Sequence, residues 1–209
     1  LVALGTAQFA AITSEQLGGM TAGQLGAIET ADLRALSVGA LAGLSSADVA
    51  ALTSTQVSSL TTAQIAALTS DQFKGLTTDD MSALTAAQVA VITSAQLGAL
   101  TTTQVAAIDA ADMKSLSTDA LAGLTNGDMA ALTNEQLQGM ITVQYAALST
   151  AQFSSLTTAQ LAALEVADLK AVSTEALHAL VGSQIAASTP TEIASLTTDQ
   201  FASLSSAQI

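Results

Sequence analysis

Few side chains in this sequence could do acid–base or ligand chemistry. His178 is the only histidine, with Glu175 three residues before it, and there is no cysteine. One imidazole beside one carboxylate lacks the convergent partners that a metal site or a general base requires. His178 reads instead as a surface residue at the C-terminal end of a short helix, where a basic group suits the helix dipole. Without cysteine there is no disulfide framework, zinc thiolate site or thiol nucleophile. Three acidic corners are richer. Asp32, Asp112 and Asp168 each follow an acid (Glu29, Asp109, Glu165) and precede a base (Arg34, Lys114, Lys170). Such corners could gather calcium, but calcium loops need several oxygens converging from a tight, usually glycine-containing turn. Neither the EF-hand spacing nor the glycine-rich nonapeptide of calcium β-rolls occurs. These carboxylates therefore read as helix N-terminal charge. No Ser-His-Asp set, glycine-rich phosphate loop or dinucleotide fingerprint can be assembled. The expectation is no enzyme, and no catalytic, cofactor-binding or metal-ligating residue.

The elements that carry these residues are written in one register. The octad at 61–68, TTAQIAAL, recurs without an insertion or deletion from Leu1 to Ile209. With Thr61 as position 1, position 5 is always apolar. Position 8 is Leu, Ile, Met or Val except at Ser188. Position 1 is mostly Thr or Ser, and position 4 is Gln, Asp or Glu except at Ala40, Ala120 and Ala176. Position 7 is Ala, Gly or Ser except at Val91. A fixed period of this kind is the signature of a repeat architecture and is read before anything else.

Each octad holds a helix start. Thr61 and Gln64 form a capping box, in which the Thr hydroxyl accepts from the N3 amide and the Gln side chain reaches back to the N-cap amide. Leu60 and Ile65 then occupy the two positions of a hydrophobic staple. One continuous helix is disfavoured, because apolar spacings of 3 and 5 average four residues and drift away from 3.6. A β-solenoid is the alternative. Against it, positions 5 and 8 would face opposite sides of a strand, and Ala, Leu and Gln favour helix. The spacing predicts a short helix over positions 2 to 8 of each octad, with positions 1, 4, 5 and 8 on one face and 2, 3, 6 and 7 on the other. All 17 acidic residues fall at positions 1, 3 or 4, and all four basic residues at position 6. That distribution complements the helix dipole, each exposed charge contributing about 0.3–1 kcal/mol. Helices this short are marginal alone. They must bury positions 5 and 8 against one another, as an all-α solenoid with a thin aliphatic core. Small residues at position 7 point to a close approach between turns. The Gln row at position 4 is either a capping partner or a hydrogen-bonded ladder between turns. The Thr/Ser row at position 2 could in principle order water, but structural roles suffice.

Composition bounds the partners. The chain has 209 residues, no Trp, a net charge of −13 and a pI near 4.1. Nucleic acid, whose binding needs Lys and Arg on phosphates, is disfavoured, as are anionic membrane surfaces. Polar residues at positions 1 and 4 interrupt every apolar run, so membrane insertion is not expected. The whole chain, 1–209, reads as one continuous array. It starts and stops at position 5 with no polar capping repeat, and so reads as a window of a longer array. A longer period overlies the octad: residues 12–57 align with 92–137, an offset of ten octads. A partial third copy begins at Glu165, seven octads after Asp109. Growth by whole octads fits a protein whose length matters more than any one site. Residues 181–192 are least regular: Val181 lacks a capping side chain, Ser188 replaces a core residue, and Pro190 sits at helix position N1, where proline is tolerated. A local soft spot is expected there. Ile141 replaces a capping Thr in the same way, at low expected cost.

The phrases LTTAQIAAL (60–68), LTTAQLAAL (156–164) and ITSAQLGAL (92–100) resemble the LTTAQ-type repeats of very large bacterial secreted and surface proteins, haem-utilisation or adhesion proteins among them. The resemblance covers the full chain and implies an elongated, acidic, extracellular or cell-surface module. It implies no haem site, because His178 stands alone. The expected function is a structural repeat, a spacer or stalk or a filament-forming subunit. Its partners would be other copies, associating laterally or end to end, or neighbouring domains of a larger chain. The alternative is an acidic binding module of a surface adhesin that takes calcium or a cationic partner.

Overall fold

The computed structural model describes residues 4–209. Among them, short helices follow one another at octad intervals, with no strand. The β-solenoid alternative is thereby set aside, and the chain is an all-α repeat solenoid.

Thr62–Ala67 shows how one octad folds. Thr61 is extended (φ −71°, ψ 157°). Its Oγ1 accepts from Gln64 N at 3.2 Å, and its own N–H donates to Gln64 Oε1 at 2.8 Å. The Thr61 N–H is thus held by a side chain and is not free to extend the preceding helix. Capping one helix and ending the previous one are a single event. At the other end, Leu68 donates to Ile65 O at 3.3 Å and leaves the helix at φ −59°, ψ 132°. Helices are therefore shorter than the spacing predicts. Thr62–Ala67 stops at position 7 and Thr158–Leu161 at position 5. Position 8 lies outside the helix, which frees its carbonyl for a partner in another turn.

Between three and four octads complete one superhelical turn. Thr62–Ala67 packs against Val38–Leu41, three octads earlier, and Ala86–Val89, three octads later. Hydrogen bonds between turns join residues 25 to 31 apart in sequence. The core is a single thread of position-5 and position-8 side chains, among them Ile65, Leu68, Phe73, Met81 and Leu97. Within octad 61–68, positions 4, 5 and 8 are buried and 2, 3, 6 and 7 are exposed, as the pattern predicts. Position 1 is not on the buried face: Thr61 is half-buried, and Thr53, Thr69 and Thr77 are exposed, because the N-cap residue lies outside the helix. All four basic residues at position 6 are exposed.

The close approach expected at position 7 is present. A methyl group on Gly43 would overlap the Ser14 carbonyl of the preceding turn, and one on Gly139 would overlap the Ala110 carbonyl. No described glycine has a positive φ, so glycine here serves proximity and not an unusual backbone conformation.

Candidate functional site

The most chemically specified feature is the row of position-4 glutamines, which performs both of the roles weighed above at once. Gln64 Oε1 accepts from Thr61 N of its own octad, while Nε2 donates to Leu33 O at 2.9 Å and Leu36 O at 3.0 Å in the preceding turn. One amide therefore caps its own helix and binds the position-5 and position-8 carbonyls four octads back. The position-8 carbonyl lies outside any helix, so this amide supplies the donor it needs. The same pattern recurs at Gln72 (Leu41 O and Leu44 O, both 2.7 Å) and Gln96 (Ile65 O and Leu68 O, both 2.8 Å). Gln136, Gln152 and Gln160 repeat it. These glutamines are buried, and the described residues leave no buried side-chain N or O without a partner. Glutamine fits because it holds an acceptor and a two-proton donor on one stem. Where Ile141 or Val181 replaces the capping Thr, Gln144 and Gln184 still accept from the N-cap amide at 2.8 and 2.9 Å. Half of the box survives, and so do the bonds to the earlier turn.

Aspartate at position 4 does half of this work. Asp48, Asp80 and Asp128 accept from the N–H and hydroxyl of the N-cap residue, but a carboxylate has no proton for the carbonyls of the earlier turn. At the acidic corners even the box is absent. Asp32 instead accepts from Thr6 Oγ1 at 2.9 Å and Asp168 from Thr142 Oγ1 at 3.0 Å, each 26 residues earlier. Residue 86, the equivalent position for Asp112, is alanine. The Asp112 octad is also the one wound as a 3₁₀ turn, Ala110–Ser115. Asp109 caps it by accepting from Ala111 N at 2.8 Å. Burial raises the Asp112 carboxyl above its ordinary pKa, the Asp109 charge adds to that, and Lys114 opposes it. Asp168 is raised by burial, opposed by the Thr142 hydrogen bond and reinforced by Glu165. The octad after each acidic corner carries buried Ala40, Ala120 or Ala176 at position 4, so the amide bonds that glutamine makes to the earlier turn lapse for two octads together. At 29–52 and 109–132 the next octad holds Asp48 or Asp128, and the lapse covers three.

One compensating residue escaped the sequence reading. Tyr145 is the only tyrosine, buried at position 5, and its hydroxyl donates to Leu137 O at 2.7 Å. By the spacing that joins Gln64 to Leu33 O, that carbonyl belongs to residue 168, which is aspartate. Tyr145 thus provides the proton that Asp168 lacks. Burial, with the charges of Asp168 and Glu165, raises the phenol pKa and keeps it a donor. The sequence carries the signal as the coincidence of Tyr145 with Asp168, but it is meaningful only once the turn length is known.

The remaining candidates stand apart. His178 is exposed, with Nδ1 2.6 Å from Ser203 O in the next turn. No group of three or more His, Asp or Glu side chains among the described residues is placed to hold a metal ion. No described helix is long and apolar enough to cross a membrane. Pro190 opens Pro190–Ser195 under a Thr189 cap, as expected.

The ALTTAQ repeat family model matches residues 25–62, 56–85, 73–108, 129–166 and 161–198, more than half of the chain. This chain belongs to the ALTTAQ repeat family and is a structural repeat module. No curated protein matches it.

Proposed function

We propose that the array is an elongated structural element of a bacterial extracellular or cell-surface protein, a stalk that holds other domains at a distance or a subunit of a filament. The observation that supports this reading is the consumption of polar chemistry inside the repeat. Position-1 hydroxyls cap helices, and position-4 amides bind one turn to the next from Gln56 to Gln208. The exposed surface of the described residues is otherwise repetitive and rich in small, hydroxyl and acidic side chains, with the four basic residues and a few apolar ones such as Val143 and Phe201 among them, which suits a spacer. Small-angle scattering of the chain should give a rod with one dimension several times the others, unchanged by calcium or chelator. A compact particle would sink the stalk reading, and a calcium-dependent change of shape would favour the acidic binding module. A rod length that grows with concentration would select the filament over the stalk. Surface display has its own check: antibodies against the array should label intact cells of the producing organism, and labelling only after permeabilisation would remove the extracellular assignment.

A further inference from the structure

Among the described residues, one internal stretch of three octads makes no side-chain hydrogen bond to the turn before it. Position 4 is Asp112, Ala120 and Asp128 in three successive octads. Three octads are nearly a full superhelical turn, and none of these side chains has a proton to give. The carbonyls that a glutamine would bind there are those of Met81, Leu84, Val89, Ile92, Leu97 and Leu100, by the spacing seen at Gln64. The turns on either side are held. Gln88 and Gln96 bind residues 77–100 back to Val57, Leu60, Ile65 and Leu68. Gln144, Gln152 and Gln160 bind the next turn back to Met113, Leu121 and Met129.

The unbonded seam is nevertheless closely packed. A methyl group on Gly123 would overlap the Ser94 carbonyl, and one on Gly98 would press on the Gly123 carbonyl. Met113, Leu121 and Met129 are buried there as fully as their counterparts elsewhere. The seam therefore rests on apolar burial and backbone contact alone. Parting it breaks no side-chain hydrogen bond, and water then reaches the position-8 carbonyls. Parting a glutamine-bound turn breaks two bonds per octad. The same arrangement recurs ten octads earlier at residues 29–52, with Asp32, Ala40 and Asp48 at position 4 and Gly18 and Gly43 in the places of Gly98 and Gly123. That earlier seam keeps one hydroxyl bond, from Thr6 to Asp32, which Ala86 cannot make at Asp112.

We propose that the contact between residues 77–100 and 109–132 is a release joint, at which the superhelix parts before any glutamine-bound turn opens. The array then lengthens in a set order under tension, the flanking turns staying closed. Sub-global opening of this kind follows from a solenoid whose stability is a sum of local interfaces. The inference rests on the elongated structural reading and adds to it where the rod yields.

Two measurements on the 209-residue chain test the joint. The first is native-state hydrogen exchange through a denaturant series. Amides of 109–132 should exchange through an opening that leaves 53–76 closed, with protection lower by roughly a hundredfold or more. The second is stretching of the chain in magnetic tweezers, where the first extension step should fall at a lower force than the rest. The triple variant Asp112→Gln, Ala120→Gln, Asp128→Gln should abolish both differences. It should fold, because glutamine is the commonest residue at position 4. The opposite variant, Gln144→Ala, Gln152→Ala, Gln160→Ala, should create a second early step. Uniform protection along the array, a first opening elsewhere, or a first step unmoved by the glutamine variant would each overturn the joint and leave the rod reading intact. A compact particle in solution scattering would remove the rod reading itself.

Discussion

Residues 53–76 and 109–132 bury the same thread of side chains and are joined to the turn before them differently. In the first stretch Val57, Leu60, Ile65, Leu68, Phe73 and Leu76 are buried, and Gln56, Gln64 and Gln72 each bind the preceding turn. In the second, Met113, Leu116, Leu121, Leu124, Met129 and Leu132 are as deeply buried, but Asp112, Ala120 and Asp128 donate nothing to the turn before. Apolar burial therefore builds the solenoid everywhere, while the glutamine amide decides how firmly one turn is held to the next. Because each octad touches only neighbouring turns, stability is close to a sum of local interfaces. The acid–alanine pair at 165–180 is a milder case, shorter by one octad and helped by the Tyr145 hydroxyl.

If the core is equivalent in the two stretches, truncating it should be equally damaging in both. Ile65→Ala and Met113→Ala should each destabilise by about 2–5 kcal/mol, read as the loss of amide hydrogen-exchange protection in the surrounding turns. A much smaller effect at Met113 would mean that the second stretch is loosely packed as well as unbonded. Next in size is the amide bridge. Gln64→Ala removes the donor to Leu33 O and Leu36 O and the acceptor of Thr61 N, and should lower local stability by about 2–3 kcal/mol, at roughly 1 kcal/mol per hydrogen bond. The reciprocal single change, Ala120→Gln, should add bonds to Val89 O and Ile92 O and raise protection of its own octad toward that of 53–76. No gain there would show that the two stretches differ by more than position 4.

How much of this is legible in the sequence depends on the range of each interaction. Capping box, staple, buried face, basic position 6 and small position 7 are all set within one octad or by its pattern. They can be read from Thr61, Gln64, Ile65, Leu68 and Gly43 without knowing the turn length. The pattern extends helices one to three residues too far, because the fate of the position-8 carbonyl is decided by a glutamine 28 residues further on. The choice between cap and ladder for Gln64 stays open at the sequence for the same reason. Octads alone do not say how many of them make a turn, and Leu33 cannot be named as a partner until that is known. The sequence groups Asp32 and Asp168 with Asp112. The Thr6 and Thr142 hydroxyls that separate them from Asp112 become visible only across the turn.

Tyr145 allows the comparison to be sharpened within one interface. Tyr145→Phe deletes only the hydroxyl that donates to Leu137 O, and should cost about 1 kcal/mol. If Tyr145 stands in for the missing amide at 168, Asp168→Gln should supply a donor to Leu137 O and Met140 O and make Tyr145→Phe close to neutral. A double-mutant cycle measures this directly. Additive effects would mean that the hydroxyl and residue 168 act on separate interactions.

The smallest expected effect is a pH dependence at the unbonded seam, set by Asp112. Burial and the neighbouring Asp109 charge raise the Asp112 carboxyl above its unfolded value. Between the unfolded and the folded pKa, the folded state binds the proton that the unfolded chain releases, so stability falls as pH rises through that interval. Above the folded pKa the full penalty is present, and below the ordinary carboxylate range it is gone. Acidifying from neutral pH toward that range should therefore increase hydrogen-exchange protection at Met113 and Leu116, after correction for intrinsic exchange. Asp112→Asn should raise protection at neutral pH and flatten this slope. An unchanged slope in the Asp112→Asn chain would move the pH sensitivity away from this corner. A slope of the opposite sign would mean that Lys114 outweighs burial and Asp109, and that the acidic corner stabilises the seam it occupies.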